Sequence, residues 1–347
     1  MRPPYTDTSK LGFGQYFTDH MFVARYETGK GWYEAKVVDF SNLELSPAAS
    51  VLHYSQEVFE GMKAYRSADG RVLLFRPEQN ARRMSRSAQR ICMPGIPEDL
   101  FLQGVKDVVL KDKEWIPGDE GTSLYIRPTM VGDDGFLGIK PSKKFTFFVV
   151  LSPVGPYYKE GFNPIPIYVE EQLVRAVVGG VGDIKTGGNY AASLLADTKA
   201  KEKGFTQVLW LDAKEHKYAE EVGSMNIFFV IGKKVVTPAL NGSILPGITR
   251  DSVLILAPDL GYEVEERAVP IQEILEGIRK GTVTECFGSG TAAVISPVGS
   301  LHYKGVDYLI NDGKVGEVTQ NIYRHLVDIQ YGRSKDPYGW VQEIGRI

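Results

Sequence analysis

Apolar segments alternate with turn signals along the chain, and stretches of helical periodicity are interspersed among them, which predicts an α/β or α+β fold. VARYETGKGWYEAKVVDF reads as a hairpin around Gly29 to Gly31. GMKAYRSADGRVLLF reads as a second, turning at Asp69-Gly70, where glycine supplies the positive φ the turn requires. SPAASVLHYSQEVF opens on Ser46 as N-cap with Pro47 at the first helical position, and RPEQNARRMSRSAQRICM repeats that arrangement with Pro77. Both are predicted helices. KFTFFVVLSPV reads as a buried strand, and GPYYKEGFNPIP after it, rich in Gly, Pro and Tyr, marks a boundary. The expected division is a first domain over 1–152, a connecting loop over 153–164 and a second domain over 165–347. Beyond the boundary come a strand at IPIYVEEQ, the loop GGVGDIKTGGNYAAS and a helix from Tyr190 to Gly204. Strands at QVLWLDA, NIFFVIG and KKVVTP follow, then helices at RDSVLILAPDL, IQEILEGIRK and GEVTQNIYRHLVDIQ. No internal repeat at solenoid spacing and no low-complexity tract interrupts this order.

Composition narrows the function. A chain of 347 residues, 43% hydrophobic and 24% charged, is long enough for a well-buried core in two domains. Forty Lys plus Arg against 43 Asp plus Glu leave a formal charge of −3 without a basic block, so a small molecule is a better-matched partner than nucleic acid or an anionic membrane. The N-terminal MRPPYTDTSKLGFG has no signal-peptide core, and FTFFVVL, the longest strongly apolar run, is far too short to span a bilayer. A cytoplasmic protein is expected. Cys92 and Cys286 form neither a disulfide framework nor a CxxC pair, and five scattered histidines give no metal signal.

The candidate chemistry centres on Lys185. Glycines on both sides let the backbone approach a bound group closely, and that many glycines carry an entropic cost an ordinary connection has no need to bear. A partly desolvated lysine there loses some preference for its charged form and becomes a usable nucleophile, with a Schiff base as the product. That chemistry suggests pyridoxal 5′-phosphate, which needs a phosphate site, an acid for the pyridine nitrogen and a shaped pocket. In LPGITRDSV, Pro246 and Gly247 precede a helix whose first amides, at Ile248 and Thr249, suit an anion; an ordinary helix start has the same look. FGSGTAAVI offers a small-residue turn with Thr291, or a plain tight hairpin. Glu221, just before an apolar strand, is either the acid or a solvated loop carboxylate. Arg76, ahead of Pro77, is either a phosphate clamp or half of a structural ion pair.

Eight motifs decide among these readings. FGQYFTDHMF, HYSQEVFEGMKAYR, LLFRPEQNARRM, LYIRPTMVG, GDIKTGGNYAAS, EEVGSMNIFF, LPGITRDSV and FGSGTAAVISPV occur in that order. Together they resemble the branched-chain amino acid aminotransferases over nearly the whole chain. The resemblance implies the fold-type IV pyridoxal-phosphate architecture, with a smaller N-terminal α/β domain and a larger C-terminal domain with a barrel-like sheet. It also implies a homodimer or higher homo-oligomer. Lys185 would carry the cofactor and then shuttle the proton between substrate α-carbon and cofactor. Glu221 would bind the pyridine nitrogen, with Ser224, where the family has threonine, in support. Arg76, the amides of Ile248 and Thr249, and Thr291 would hold the phosphate, and Tyr190 the ring's 3-oxygen. The substrates would be L-leucine, L-isoleucine or L-valine and the pair L-glutamate/2-oxoglutarate. Phe59, Tyr54, Tyr125 and Tyr157 would form an apolar cage, Arg127 or nearby hydroxyls would receive the distal carboxylate of glutamate, and amides at Thr291 and Ala292 would take the α-carboxylate. Alternation in LYIRP puts Tyr125 and Arg127 on one face of a strand.

Three rivals are weaker. D-amino-acid aminotransferases and aminodeoxychorismate-lyase-like enzymes share the lysine loop and fold, but TDHMF and LYIRP favour the branched-chain, L-specific branch. An NAD-dependent dehydrogenase would need the run GSGTAA, from Gly288 to Ala293, to open a helix, whereas VISPVGSLHY after it carries Pro297 and reads as a strand. A binding module without catalysis would leave the lysine, acid and phosphate constellation idle.

Overall fold

Gly29 and Gly31, at φ 87° and 83°, turn the chain between β1 (His20–Glu27) and β2 (Gly31–Asp39), the first expected hairpin. The computed structural model, which describes residues 7–155 and 162–347, divides into two compact units. The first holds the described residues up to 155, Ile184–Gly187 and Asp328–Ile347. After the hairpin come α1 (Ser50–Tyr54), β3 (Glu57–Phe59), β4 (Met62–Arg66), β5 (Arg71–Phe75), α2 (Pro77–Arg90), α3 (Glu98–Lys111), β6 (Ser123–Gly132) and β7 (Lys144–Val154). The strands form an antiparallel sheet in which β5, β4, β6, β7, β1 and β2 lie side by side and β3 pairs with β6. Its core joins Phe22, Leu74, Met84, Phe101, Val105 and Phe147. Gly104 lets α3 close on this sheet, because a Cβ there would come within 2.6 Å of the Phe22 ring.

The expected helix over 46–59 is corrected. Ser46 Oγ accepts the amide of Ala48, Ala49 stands at the N-cap, and only Ser50–Tyr54 is helical. Ser55, at φ 50°, ends it, and Glu57–Phe59 leave as a strand with Val58 fully buried between half-buried neighbours. Pairing with β6 outweighs the local helical pattern. The helix from Pro77 forms as expected, with Arg76 at its N-cap in the left-handed region.

The second unit holds residues 162–183 and Gly188–Val327. In order it carries β8 (Ile165–Val169), α4 (Gly187–Ala191), α5 (Leu194–Glu202), β9 (Gln207–Leu211), β10 (Tyr218–Val222), β11 (Met225–Ile231), β12 (Lys234–Pro238) and α6 (Ile248–Asp259). Then come β13 (Glu263–Arg267), β14 (Val269–Pro270), α7 (Ile271–Lys280), β15 (Val283–Gly290), β16 (Val294–Tyr303), β17 (Val306–Leu309) and α8 (Glu317–Gln330). Strands β11, β15, β16, β8, β9 and β10 pair in succession and β10 pairs back to β11, so six strands close a barrel. Ile167, Leu209, Phe229 and Leu301 fill its core. The helix expected from Tyr190 to Gly204 is two helices, because the Tyr190 carbonyl accepts both the amide and the hydroxyl of Ser193. Past α8, Trp340 leads into β18 (Val341–Arg346), which pairs antiparallel with β5 in the first unit, although the division expected from sequence assigns all of 165–347 to the second domain. Among the described residues no helix is long and apolar enough to cross a membrane, and no group of three or more His, Cys, Asp or Glu could hold a metal ion.

Candidate active site

Lys185 is half-buried, and its backbone is fixed on both sides within the first unit. Its carbonyl accepts the Phe59 amide at 3.0 Å, and its own amide donates to Ser87 Oγ at 3.2 Å. Its Nζ stands 4.7 Å from the centre of the Phe59 ring, within cation–π range. The Arg127 guanidinium lies 4.7 Å from that same ring and 5.2 Å from the Tyr125 ring, and Arg127 Nη2 donates to the Tyr125 hydroxyl at 3.0 Å. Lys185, Phe59, Tyr125 and Arg127 therefore form one cluster. Arg127 Nε is buried without a hydrogen-bond partner, a donor left over for a ligand.

Glu57, which the sequence did not single out, belongs to this cluster. A Cβ on Gly187 would stand 2.0 Å from Glu57 Oε1, so the lysine loop passes this carboxylate only as glycine. Burial raises the Glu57 carboxyl above its usual range, against the opposing pull of the Gly187 amide and the Arg127 charge. Tyr54 is 42% exposed and its hydroxyl donates to the Leu137 carbonyl. Tyr157 lies outside the described residues. Arg76 is buried at the start of α2, its amide donating to the Trp340 carbonyl at 2.7 Å and its guanidinium 5.1 Å from the Trp340 ring.

In the second unit Glu221 is buried on β10 with both oxygens engaged. Oε1 accepts the Leu245 amide at 2.9 Å and Asn226 Nδ2 at 3.2 Å, and Oε2 pairs with Arg175 Nε at 2.9 Å. Arg175 Nη2 also donates to the carbonyls of Gly182, at 3.2 Å, and Ser243. Arg175 and Asn226 are additions to the expected set: Asn226 pairs with Glu221 across the β10–β11 hairpin, while Arg175 reaches Glu221 and Ser243 only through the fold. Ile248 and Thr249 open α6 after Gly247, which packs so close to Asn226 that a Cβ would stand 2.0 Å from its Oδ1. Glu221, Asn226 and the α6 start are thus one cluster. Ser224 is exposed in the β10–β11 turn, and Thr291 and Ala292 are half-buried in the β15–β16 turn. Asn226 is in register with Ser289, so these two turns lie at the same end of the barrel. Tyr190, on α4, is half-buried.

Residues 57–301 match the family model described as amino-transferase class IV. The chain is 52% identical to the branched-chain-amino-acid transaminase 1 of Bacillus subtilis, over 97% of this chain and 95% of that one. A crystal structure of the Escherichia coli branched-chain amino acid aminotransferase resembles it with a TM-score of 0.79 at 28% identity, over 94% of this chain and 100% of that one. A T.th. branched-chain amino acid aminotransferase complexed with N-(5′-phosphopyridoxyl)-L-glutamate gives a TM-score of 0.77 at 27% identity, over 93% and 98% of the respective chains.

Proposed function

We propose that this chain, which belongs to the class IV aminotransferase family, is a branched-chain-amino-acid transaminase that uses pyridoxal 5′-phosphate to move an amino group between L-leucine, L-isoleucine or L-valine and 2-oxoglutarate. One observation carries the reading above the others: the 52% identity to a branched-chain transaminase spans 97% of the chain and so takes in the lysine loop, the acid and α6 together. The residues present fit the cofactor. Asn226 packs on the glycine that opens α6 and donates to Glu221, so a helix start suited to phosphate and an acid suited to a pyridine nitrogen share one packed cluster. When bound, the cofactor supplies an electron sink for the charge left by deprotonation of the substrate α-carbon.

The chain's own residues do the rest. Lys185 would act as nucleophile and then as acid/base, taking the proton from the substrate α-carbon and delivering it to the cofactor. Glu221 holds the pyridine nitrogen, Arg175 balances its charge, and Ser224 supports it. Arg76, the amides of Ile248 and Thr249, and Thr291 bind phosphate, and Tyr190 donates to the 3-oxygen. Phe59 and Tyr125 would flank the branched side chain. Arg127 takes the distal carboxylate of glutamate, and the amides at Thr291 and Ala292 take the α-carboxylate. The two half-reactions use this equipment in turn, as a reversible ping-pong cycle.

We read the protein as a cytoplasmic homodimer or higher homo-oligomer. Exposed Leu52, Tyr54, Phe136, Leu137 and Ile139, the last 90% exposed, offer an apolar surface that a second copy would cover. Two unpaired cysteines suit a reducing compartment. The test is formation of leucine from 2-oxoisocaproate and L-glutamate by the purified holoenzyme. Turnover by the wild type and none by Lys185→Ala is the expected outcome; turnover of D-alanine in place of L-leucine would overturn the substrate assignment.

A further inference from the structure

Strand β10 holds two acidic residues in succession, Glu220 and Glu221, and both are buried, each at 3% exposure. Successive side chains of a strand point to opposite faces, so neighbouring carboxyl groups ordinarily have separate surroundings. Here the strand is irregular. Ala219 pairs with Leu211 and Glu221 with Trp210, so β10 uses one residue more than β9, and Glu220 is the extra one. A bulge of this kind re-aims a side chain. Glu220 and Glu221 reach the same segment, the connection from β12 to α6. Glu220 Oε1 accepts Asn241 Nδ2 at 3.0 Å and the Ser243 hydroxyl, while Glu221 Oε1 accepts the Leu245 amide. Asn241 Oδ1 in turn accepts the Ser243 amide at 3.0 Å. Ser243 is buried, and its carbonyl, which accepts Arg175 Nη2, passes so close to Gly182 that a Cβ there would stand 2.3 Å from it. The connection is thus held at Asn241, Ser243 and Leu245 just before Gly247 opens α6. Glu220 Oε2 is buried without a hydrogen-bond partner. A carboxyl group kept in the interior with one oxygen unpaired lowers stability, so its presence calls for another reason.

We propose that Glu220 is a positioning residue for the phosphate end of the cofactor: through Asn241 and Ser243 it fixes the connection that sets the Ile248 and Thr249 amides at the start of α6. The inference rests on the reading of that helix start as the phosphate site. Glu221, read as the acid for the pyridine nitrogen, holds the same connection at Leu245. Adjacent residues of one strand therefore place the groups for the two ends of the cofactor in register with each other. Loss of Glu220 loosens the helix start and leaves the bonds of Glu221 to Leu245, Asn226 and Arg175 in place. The loss should be felt by a ligand that carries a phosphate and not by one that lacks it, a selectivity that a merely structural role does not produce.

Apo-protein titrated with pyridoxal 5′-phosphate and, separately, with pyridoxal reads this directly. Glu220→Ala is expected to weaken pyridoxal 5′-phosphate binding by about tenfold or more, for the loss of two buried hydrogen bonds, with the affinity for pyridoxal unchanged. Glu220→Gln keeps an oxygen acceptor for Asn241 and Ser243 and is expected to stay close to wild type. Asn241 is exposed, so Asn241→Ala tests the same link even where Glu220→Ala fails to fold. Its expected loss is about fivefold, again confined to the phosphorylated ligand. Equal losses for the two ligands, or an unchanged affinity for pyridoxal 5′-phosphate in folded Glu220→Ala or in Asn241→Ala, overturn the inference while the wild type still favours the phosphorylated ligand. A wild type that binds both ligands equally well overturns the reading of α6 beneath it.

Discussion

Arg127 has to serve two substrates with one side chain. Its guanidinium lies against the rings of Phe59 and Tyr125, shares its charge with the nearby carboxyl of Glu57, and keeps Nε without a partner. A planar cation with apolar faces tolerates a leucine side chain beside it, and its free edge binds a carboxylate. Arg127→Gln is expected to raise KM for 2-oxoglutarate by roughly 30-fold or more, the value of about 2 kcal/mol for a charge-assisted hydrogen bond. The leucine half-reaction should change by only a few-fold, and steady-state kinetics with each substrate varied in turn checks both. Lys63, on β4 in register with Tyr125, gives a pH signature. Burial pushes its ammonium down to about 8. An unfolded lysine keeps its proton to about pH 10.4, so between these values the unfolded chain binds more protons and stability rises with pH. Below pH 8 the folded state carries the full penalty, on the order of 3 kcal/mol. Lys63→Met is therefore expected to raise Tm at pH 7, with a gain that shrinks toward pH 10 in thermal melts. At this scale the sequence was informative where chemistry followed local alternation. Tyr125 and Arg127 meet as LYIRP suggests, and Asn226 meets Glu221 across a local hairpin, whereas Arg175 finds partners that only the folded chain brings near.

Two segments with the same start signal show what decides an element. Pro47 and Pro77 both follow a polar residue, but only Pro77 opens a long helix, because Ala81, Met84 and Ala88 give α2 an apolar face buried in the sheet's core. The segment after Pro47 has a better outlet in β6, which its last three residues join as β3. Hairpin turns were legible because glycine at positive φ is a local requirement; the barrel was legible only through the family resemblance, since no local signal says that β10 meets β11 to complete a ring of six strands. At the start of α6, Gly247 links backbone geometry to chemistry. Gly247→Ala would force Asn226 from its place beside Glu221 and Leu245, where its Nδ2 also bonds the Leu245 carbonyl at 2.9 Å. The expected result is cofactor binding weaker by about tenfold or more, for the loss of one to two buried hydrogen bonds, read by titrating apo-protein with pyridoxal 5′-phosphate.

For the whole molecule, the division of labour is between a sheet unit that carries Lys185 with its aromatic and charged neighbours and a barrel unit that carries the acid and the α6 start. The chain supplies the first unit in three pieces, and no local signal announces that 184–187 and 328–347 belong with residues far upstream. The ordered motifs made the family legible; the way the termini and the lysine segment are shared out had to come from the fold. The proposed chemistry depends on one covalent link at Lys185, so its identity is the direct measurement. Borohydride reduction of the holoenzyme, followed by proteolysis and peptide mass analysis, should place one phosphopyridoxyl group on the peptide containing Lys185. A label on a different lysine, or no label on the reduced protein, would contradict the assignment.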